Sequence, residues 1–292
     1  MYNPISGRVS VRPSRDLFGG LCRGFAWIWA VILIYPVLFV IAMSVSNSVE
    51  ATSLPPWLVP RHFEFSNYIH AFSFFANGGV SIPTMLVNSG IVAASTITIT
   101  LGIGVLAAYA FARMRFRGKR VLFYAVMLSL IVPIPALLIP EFITVKAYGL
   151  IGSLLSLILP YCAFGLPLPV LILTSFFQQI PTELYEAAVI DGASLFRTLR
   201  SVVLPLARPA LATCVVFLGL QVWNEFSLAL VVIQNASLST VPLGLASVQG
   251  KGVSPWQFIA AGMLITSLPV VIVFFALQRQ FIEGLMKGSV KA

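Results

Sequence analysis

Residues able to do chemistry are scarce in this 292-residue chain and fall mainly in two places. Glu183, Glu186 and Asp191 share one polar stretch, residues 181–209, which reads PTELYEAAVIDGASLFRTLRSVVLPLARP and also carries Arg197, Arg200 and Arg208. Glu225 stands alone in the apolar run QVWNEFSLAL. Neither place suggests catalysis. The chain has no Ser-His-Asp set, no pair of carboxylates in one cleft and no GxxxxGK[ST] loop to cradle a phosphate. His62 and His70 lack a cysteine or carboxylate at metal-ligand spacing and read as surface residues. Cys22, Cys162 and Cys214 lie in or beside apolar runs without metal or redox spacing, and read as small buried hydrophobes. What remains is the chemistry of contact: a charged docking surface and one carboxylate that must be accommodated in an apolar setting. By itself the chain reads as no enzyme.

The polar stretch has the pattern of two short amphipathic helices. Thr182 is placed to cap the first, with Glu183 and Glu186 in its opening turns, where carboxylates favour the positive end of the helix dipole. Gly192 permits the left-handed conformation that stops a helix, and Ser194 can cap the second helix before Pro205 and Pro209. Leu184, Ala187 and Ala188 give the first helix a small flat apolar face, and Leu195, Phe196, Leu199 and Val203 do the same for the second. Such a helical hairpin is shaped to dock.

The surroundings that hold it are apolar. The chain is 59% hydrophobic and 9% charged, with mean hydropathy +0.97, whereas soluble domains carry about 25% charged residues. A membrane helix needs about 20 apolar residues, and six stretches qualify: 24–45, 84–112, 121–139, 154–177, 210–232 and 258–278. The fold class expected is an all-α membrane protein of six transmembrane helices. The first apolar run exceeds the roughly 7 to 15 residues of a signal core and reads as an uncleaved anchor. With the N-terminus inside, fifteen of the 18 Lys and Arg residues fall on the cytoplasmic side. The positive-inside rule therefore puts both termini and the hairpin in the cytoplasm. Topology and anionic lipid account for the net charge of +9, and no nucleic-acid partner is needed.

Glu186-Ala187-Ala188, then Gly192, then Val202-Val203-Leu204-Pro205 resembles the cytoplasmic coupling loop of ABC importer permeases, whose pattern is EAA, a fixed Gly and I-x-L-P. Val202 stands where the family prefers Ile. Ala107-Ala108-Tyr109-Ala110 followed by Arg113, Phe116 and Gly118 is similar to the family's AAYA-x-AR-x-x-F-x-G signature. Trp223-Asn224-Glu225-Phe226 resembles its W-N-[DE]-F element, and TVPLGL its loop toward the binding protein. The tail from Gln278 is similar to QR-x-F-x-x-G-x-x-x-G-x-x-K-G, with Ala292 in place of the last Gly. The matches run from about Asn67 to the C-terminus and favour the maltose and glycerol-3-phosphate type of carbohydrate-uptake permease.

The resemblance implies the type I ABC importer permease fold in a bacterial inner membrane. Its parts would be a cytoplasmic tail 1–23, a permease domain 24–282 with the coupling loop at 181–209, and a tail 283–292. Its partners would be a second, homologous permease, two ATP-binding cassette ATPases, an extracytoplasmic solute-binding protein and membrane lipid. No cofactor is implied in this chain, because ATP and Mg belong to the ATPases. Glu183, Glu186, Ala187, Ala188, Asp191, Gly192, Leu204 and Pro205 would couple to the ATPases, and Gly284, Gly288 and Lys291 would touch them from the C-terminus. The cargo implied is a sugar or oligosaccharide. Two alternatives are an importer of a sugar phosphate such as glycerol-3-phosphate, and an ion-driven secondary transporter, which would want more intramembrane charge than Glu225 and an internal repeat.

Two local questions stay open at this level. Trp223, Asn224 and Glu225 either line a translocation path or serve helix packing and gating, since a carboxylate at that depth must face the bundle interior or a partner. Pro133, Pro135 and Pro140 either shape a path-lining helix or merely distort it where it leaves the membrane.

Overall fold

A computed structural model describes residues 17–52, 59–248 and 255–289, which form helices joined by short turns, with no strand among them. Four helices are long and apolar enough to cross a membrane unbroken: Gly19–Ser44, Ile82–Arg113, Leu155–Gln179 and Trp256–Phe281. Two further candidates are bent pairs, Lys119–Ile131 with Ile134–Ala147 at 103°, and Leu195–Leu206 with Arg208–Trp223 at 78°. Six crossings are reached when each bent pair counts as one.

The third span, expected over 121–139 with a disturbance at its prolines, is broken rather than gently distorted, and its second half runs on to Ala147. It turns a corner at Val132 and Pro133, both extended. Proline has no N–H to offer the preceding turn, and its ring pushes the residue before it out of the helical region. The fifth span, expected over 210–232, is also interrupted. Its helix Arg208–Trp223 has 16 residues, about 24 Å of rise, which is short of a hydrocarbon core of about 30 Å. The chain resumes as the half-helix Ser227–Val232. By contrast the fourth span, despite Pro160, Pro167 and Pro169, runs on with a break only at Leu166.

The first helix starts at Leu17, inside the stretch 1–23 expected to be tail. It lies almost bare, with 6% of its apolar window buried, and packs chiefly against the last helix. Cys22 on it is exposed, against the expectation of a buried hydrophobe, while Cys214 is buried as expected. The Asn67 amide donates to the carbonyls of Ser44 (3.1 Å) and Ser46 (2.8 Å), which ties the helix Asn67–Asn77 to the end of the first span. The last helix, Trp256–Ser289, continues through Pro269 into residues expected as tail and carries Gly284 and Gly288. Lys291 lies outside the described residues.

The second span, Ile82–Arg113, is the hub. It packs along the fourth span, the helix Arg208–Trp223 and the short helix Val241–Ser247. Gly104 and Ala108, one turn apart, face these neighbours, whereas Gly102 is exposed with open space around it. The close-contact stripe is thus narrower than the four small residues Gly102, Gly104, Ala107 and Ala108 suggest. Small residues on facing helices let backbones approach, and van der Waals packing then does what hydrophobicity cannot do in lipid.

Candidate functional site

The hairpin exists, and its ends are set by local sequence. The helix Thr182–Ile190 ends with Asp191 as its cap, and Gly192 turns at φ +75. The amide of Gly192 donates to the carbonyl of Val189, and that of Ala193 to the carbonyl of Ala188 at 2.9 Å. This two-bond closure needs a left-handed residue, which glycine supplies at no steric cost. Ser194 caps the next helix by accepting from the Arg197 amide. One expectation fails: the capping position of the first helix is Pro181, without a side-chain hydrogen bond, and Thr182 is already helical. The second arm runs through Leu195–Thr198, a wide π turn at Leu199–Val203 and the turn Leu204–Leu206. Pro205 has no N–H to return to the preceding turn, so a wider turn there loses little.

The two faces of the hairpin differ from the predicted division. Leu199 and Val203 are buried and join Leu173, Phe177, Ala207 and Cys214 in one core cluster, against which Tyr185 packs, and Ala188 is buried on the first arm. They are the root of the hairpin. The free apolar surface is instead its tip, where Ile190 is 85% exposed and Phe196 66%, with Val189 and Leu195 also exposed. Glu183, Glu186, Ala187, Asp191 and Gly192 lie on the exposed side of the first arm, Pro205 is exposed on the second, and Leu204 is half-buried.

At the root stands a side chain that the sequence shows only as one position of the AAYA-x-AR-x-x-F-x-G resemblance, with no role attached. Arg113 donates through Nη2 to the carbonyls of Phe177, at 2.7 Å, and Ile180. These carbonyls belong to the end of the fourth span, where helical carbonyls lack partners and the helix dipole favours a cation. The same guanidinium lies 3.9 Å from the ring centroid of Tyr185 on the hairpin. Tyr185 in turn stacks on Tyr109, which meets Phe177 edge-on. Burial raises the pKa of the Tyr185 phenol while Arg113 pulls it down, so the ring is neutral at physiological pH.

The second predicted site is a break in a helix. Asn224, Glu225 and Phe226 separate Arg208–Trp223 from Ser227–Val232. The Glu225 carboxylate accepts from the amides of Leu228, at 2.9 Å, and Ala229, at 3.4 Å, and from the Tyr161 hydroxyl of the fourth span. It caps the half-helix and bridges it to a neighbour, which meets the demand that a carboxylate at membrane depth find partners. Ile134, just beyond the corner of the third span, lies beside Glu225 together with Tyr161, Phe164 and Gln221. The corner of one span thus meets the break of another around a carboxylate. Asn224 is exposed and its amide returns to the Leu220 carbonyl. Trp223 is half-buried between two core clusters and borders an apolar cavity of about 350 Å³ between the second, fifth and last helices. The structure thus brings Trp223, Asn224 and Glu225 together but turns them three ways.

The far end of the second span carries contacts that no motif announces. The Asn88 amide donates to the carbonyls of Ser237 (2.9 Å) and Ser239 (3.0 Å), and the Ser89 hydroxyl accepts from the Val241 amide at 2.8 Å. These bonds latch the loop before the last helix, including the Thr240–Leu245 stretch. Gly244 sits so close that a Cβ there would overlap the Met85 sulfur. Elsewhere, His62 lies 3.4 Å from Glu50, a carboxylate too distant in sequence to suggest itself. Among the described residues no group of three or more His, Cys, Asp or Glu side chains could hold a metal.

Comparison with known proteins gives the family and the fold. Residues 100–286 match the family described as binding-protein-dependent transport system inner membrane component. The trehalose transport system permease protein SugB of Mycobacterium tuberculosis is 34% identical over 272 residues, covering 90% of this chain and 97% of that protein. The trehalose/maltose transport system permease protein MalG of Thermococcus litoralis is 33% identical, covering 91% and 94%. The diacetylchitobiose uptake system permease protein NgcG of Streptomyces coelicolor is 31% identical, covering 93% and 89%. A chain of a bacterial ABC transporter that imports the acidic polysaccharide alginate shares the fold, with TM-score 0.76 at 24% identity over 92% of this chain and 98% of that one.

Proposed function

Since the chain belongs to the family of binding-protein-dependent transport system inner membrane components, we propose that it is the membrane-spanning permease of an ATP-driven importer of a sugar or oligosaccharide. Named relatives act on trehalose, maltose and diacetylchitobiose, which supports a carbohydrate cargo. The observation that carries the coupling role is the hairpin. It is rooted by Ala188, Leu199 and Val203 and offers an exposed apolar tip flanked by Glu183 and Glu186. A surface of this kind suits a groove on a separate ATPase, with the hairpin in the cytoplasm and both termini on the same side.

In this reading two ATPase subunits bind ATP and Mg, a second permease completes the membrane unit, and a solute-binding protein delivers cargo from the other side. Closure of the ATPases drags the hairpin, and the helices rooted to it move as rigid rods between inward-open and outward-open arrangements. Glu186, Ala187, Ala188, Asp191 and Gly192 form the driven arm, and Leu204 and Pro205 join the second arm to the fifth span. Gly284, Gly288 and Lys291 add a C-terminal contact with the ATPases. Trp223, Asn224 and Glu225, with Gln221 and the corner at Pro133, mark the segment of the path where helices are already broken. Irregular backbone at membrane depth is tolerated where protein or a water-filled cavity surrounds it.

The test is to purify the chain with its native partners and measure which solutes stimulate ATP turnover through the binding protein. Stimulation by a sugar or oligosaccharide is expected. Stimulation by a sugar phosphate alone would change the cargo, and uptake that follows an ion gradient without ATP would overturn the reading.

A further inference from the structure

We propose that Arg113 is a positioning residue that locks the hairpin to the ends of the second and fourth spans, so that the three move as one body. The proposal rests on the coupling role of the hairpin given above and names the joint through which it would act.

Three observations carry it. First, Arg113 differs from its basic neighbours. Arg115, Arg117 and Arg120 are exposed, and the half-buried Lys119 donates to the Met114 carbonyl of its own turn, whereas Arg113 is half-buried and reaches other elements. Second, one planar group serves three elements at once. It extends from the end of the second span, gives two hydrogen bonds to carbonyls at the end of the fourth, and covers the face of Tyr185 on the hairpin. A guanidinium can donate in its plane while stacking through its face, which an ammonium cannot do. Third, the hairpin's first arm has few buried side chains of its own: within Thr182–Ile190 only Ala188 is buried, with Tyr185 half-buried beside it. The second arm reaches the core through Leu199 and Val203, but the first arm, which carries Glu186, is held mainly through Ala188 and the stacked Tyr185. Removing the stack leaves that arm hinged at Gly192 and Pro181, free to follow a partner without pulling the spans.

The test uses the complete transporter in proteoliposomes, with ATP hydrolysis and solute uptake measured on the same vesicles. Arg113→Gln and Tyr185→Leu are expected to keep hydrolysis while lowering uptake per ATP by about tenfold, the scale of a half-buried cation–π contact. Arg113→Lys is expected to recover little, because the ammonium keeps a donor but loses the plane. Tyr185→Phe is expected to recover most of the loss, because the ring face remains. The double variant should be no worse than the worse single one, as for two halves of one contact. A purely structural role would lower hydrolysis and uptake together with the amount of assembled complex. An unchanged uptake-to-hydrolysis ratio in both Arg113→Gln and Tyr185→Leu overturns the joint. Glu186→Ala and Gly192→Val serve as references. If they uncouple and the Arg113 and Tyr185 variants do not, only the joint fails; if none of the four uncouples, the coupling role of the hairpin fails with it.

Discussion

The two ends of the second span are built from opposite materials. At the end that starts with Ile82, neutral groups do the holding: Asn88 and Ser89 give and take hydrogen bonds with the backbone of Ser237, Ser239 and Val241, and Gly244 is pressed against Met85. At the other end a single cation gathers two carbonyls and an aromatic face. Buried neutral hydrogen bonds are short-ranged and directional, so they fix a register and resist sliding. A stack on a ring face tolerates rotation about its axis and still pulls. The first end behaves as an anchor and the second as a joint, which divides stability from transmission along one rod.

That division can be broken by mutation. The largest loss of stability is expected for Asn88→Ala, because two carbonyls lose their donor at about 1–3 kcal/mol each. The thermal midpoint of the purified complex should fall sharply, with uptake per ATP unchanged in what survives; the reverse pattern would swap the roles of the two ends. Glu225→Ala strands the Tyr161 hydroxyl and two amides, and a loss of about 2–3 kcal/mol is expected from the missing cap and bridge, read from the same midpoint. Gly192→Val places a β-branched residue at φ +75, a cost of about 1–3 kcal/mol. Because the hairpin tip is exposed, that strain should appear chiefly as lost coupling, measured as uptake per ATP. The smallest stability changes, within about 0.5 kcal/mol, belong to the exposed Glu186→Ala and Glu64→Gln. Of these two only Glu186→Ala should uncouple, and equal transport by both would erase the distinction between hairpin and ordinary surface.

The hairpin was largely legible because its signals are local. Gly192 and Ser194 act on backbone within a few residues of themselves, so their types suffice. Thr182 misled because the extended Pro181 already occupies the position before the helix, and the helix starts one residue earlier than a threonine cap requires. Leu199 and Val203 are plainly apolar in sequence, but composition does not say whether an apolar face meets the chain's own core or another molecule. The joint and the anchor were hidden for a different reason. Arg113 and Phe177 are 64 residues apart, and Asn88 and Ser239 are 151 apart; nothing in the run of either partner marks the other. Glu225 shows the limit clearly: its need for a partner follows from physics, while Tyr161 as that partner follows only from the fold. The corner at Pro133 lies between, since three prolines announce a disturbance and the neighbours decide which of them turns the chain.

The length of the central rod carries one more consequence. Its 32 residues span about 48 Å, well beyond a hydrocarbon layer of about 30 Å, so both tips stand among lipid headgroups or in water. Thicker or thinner bilayers should change how far the rod leans before they drag either tip into oil. Lipid chain length thereby becomes a means of tilting the machine without touching a residue, and transport rate should respond to it more steeply than thermal resistance does.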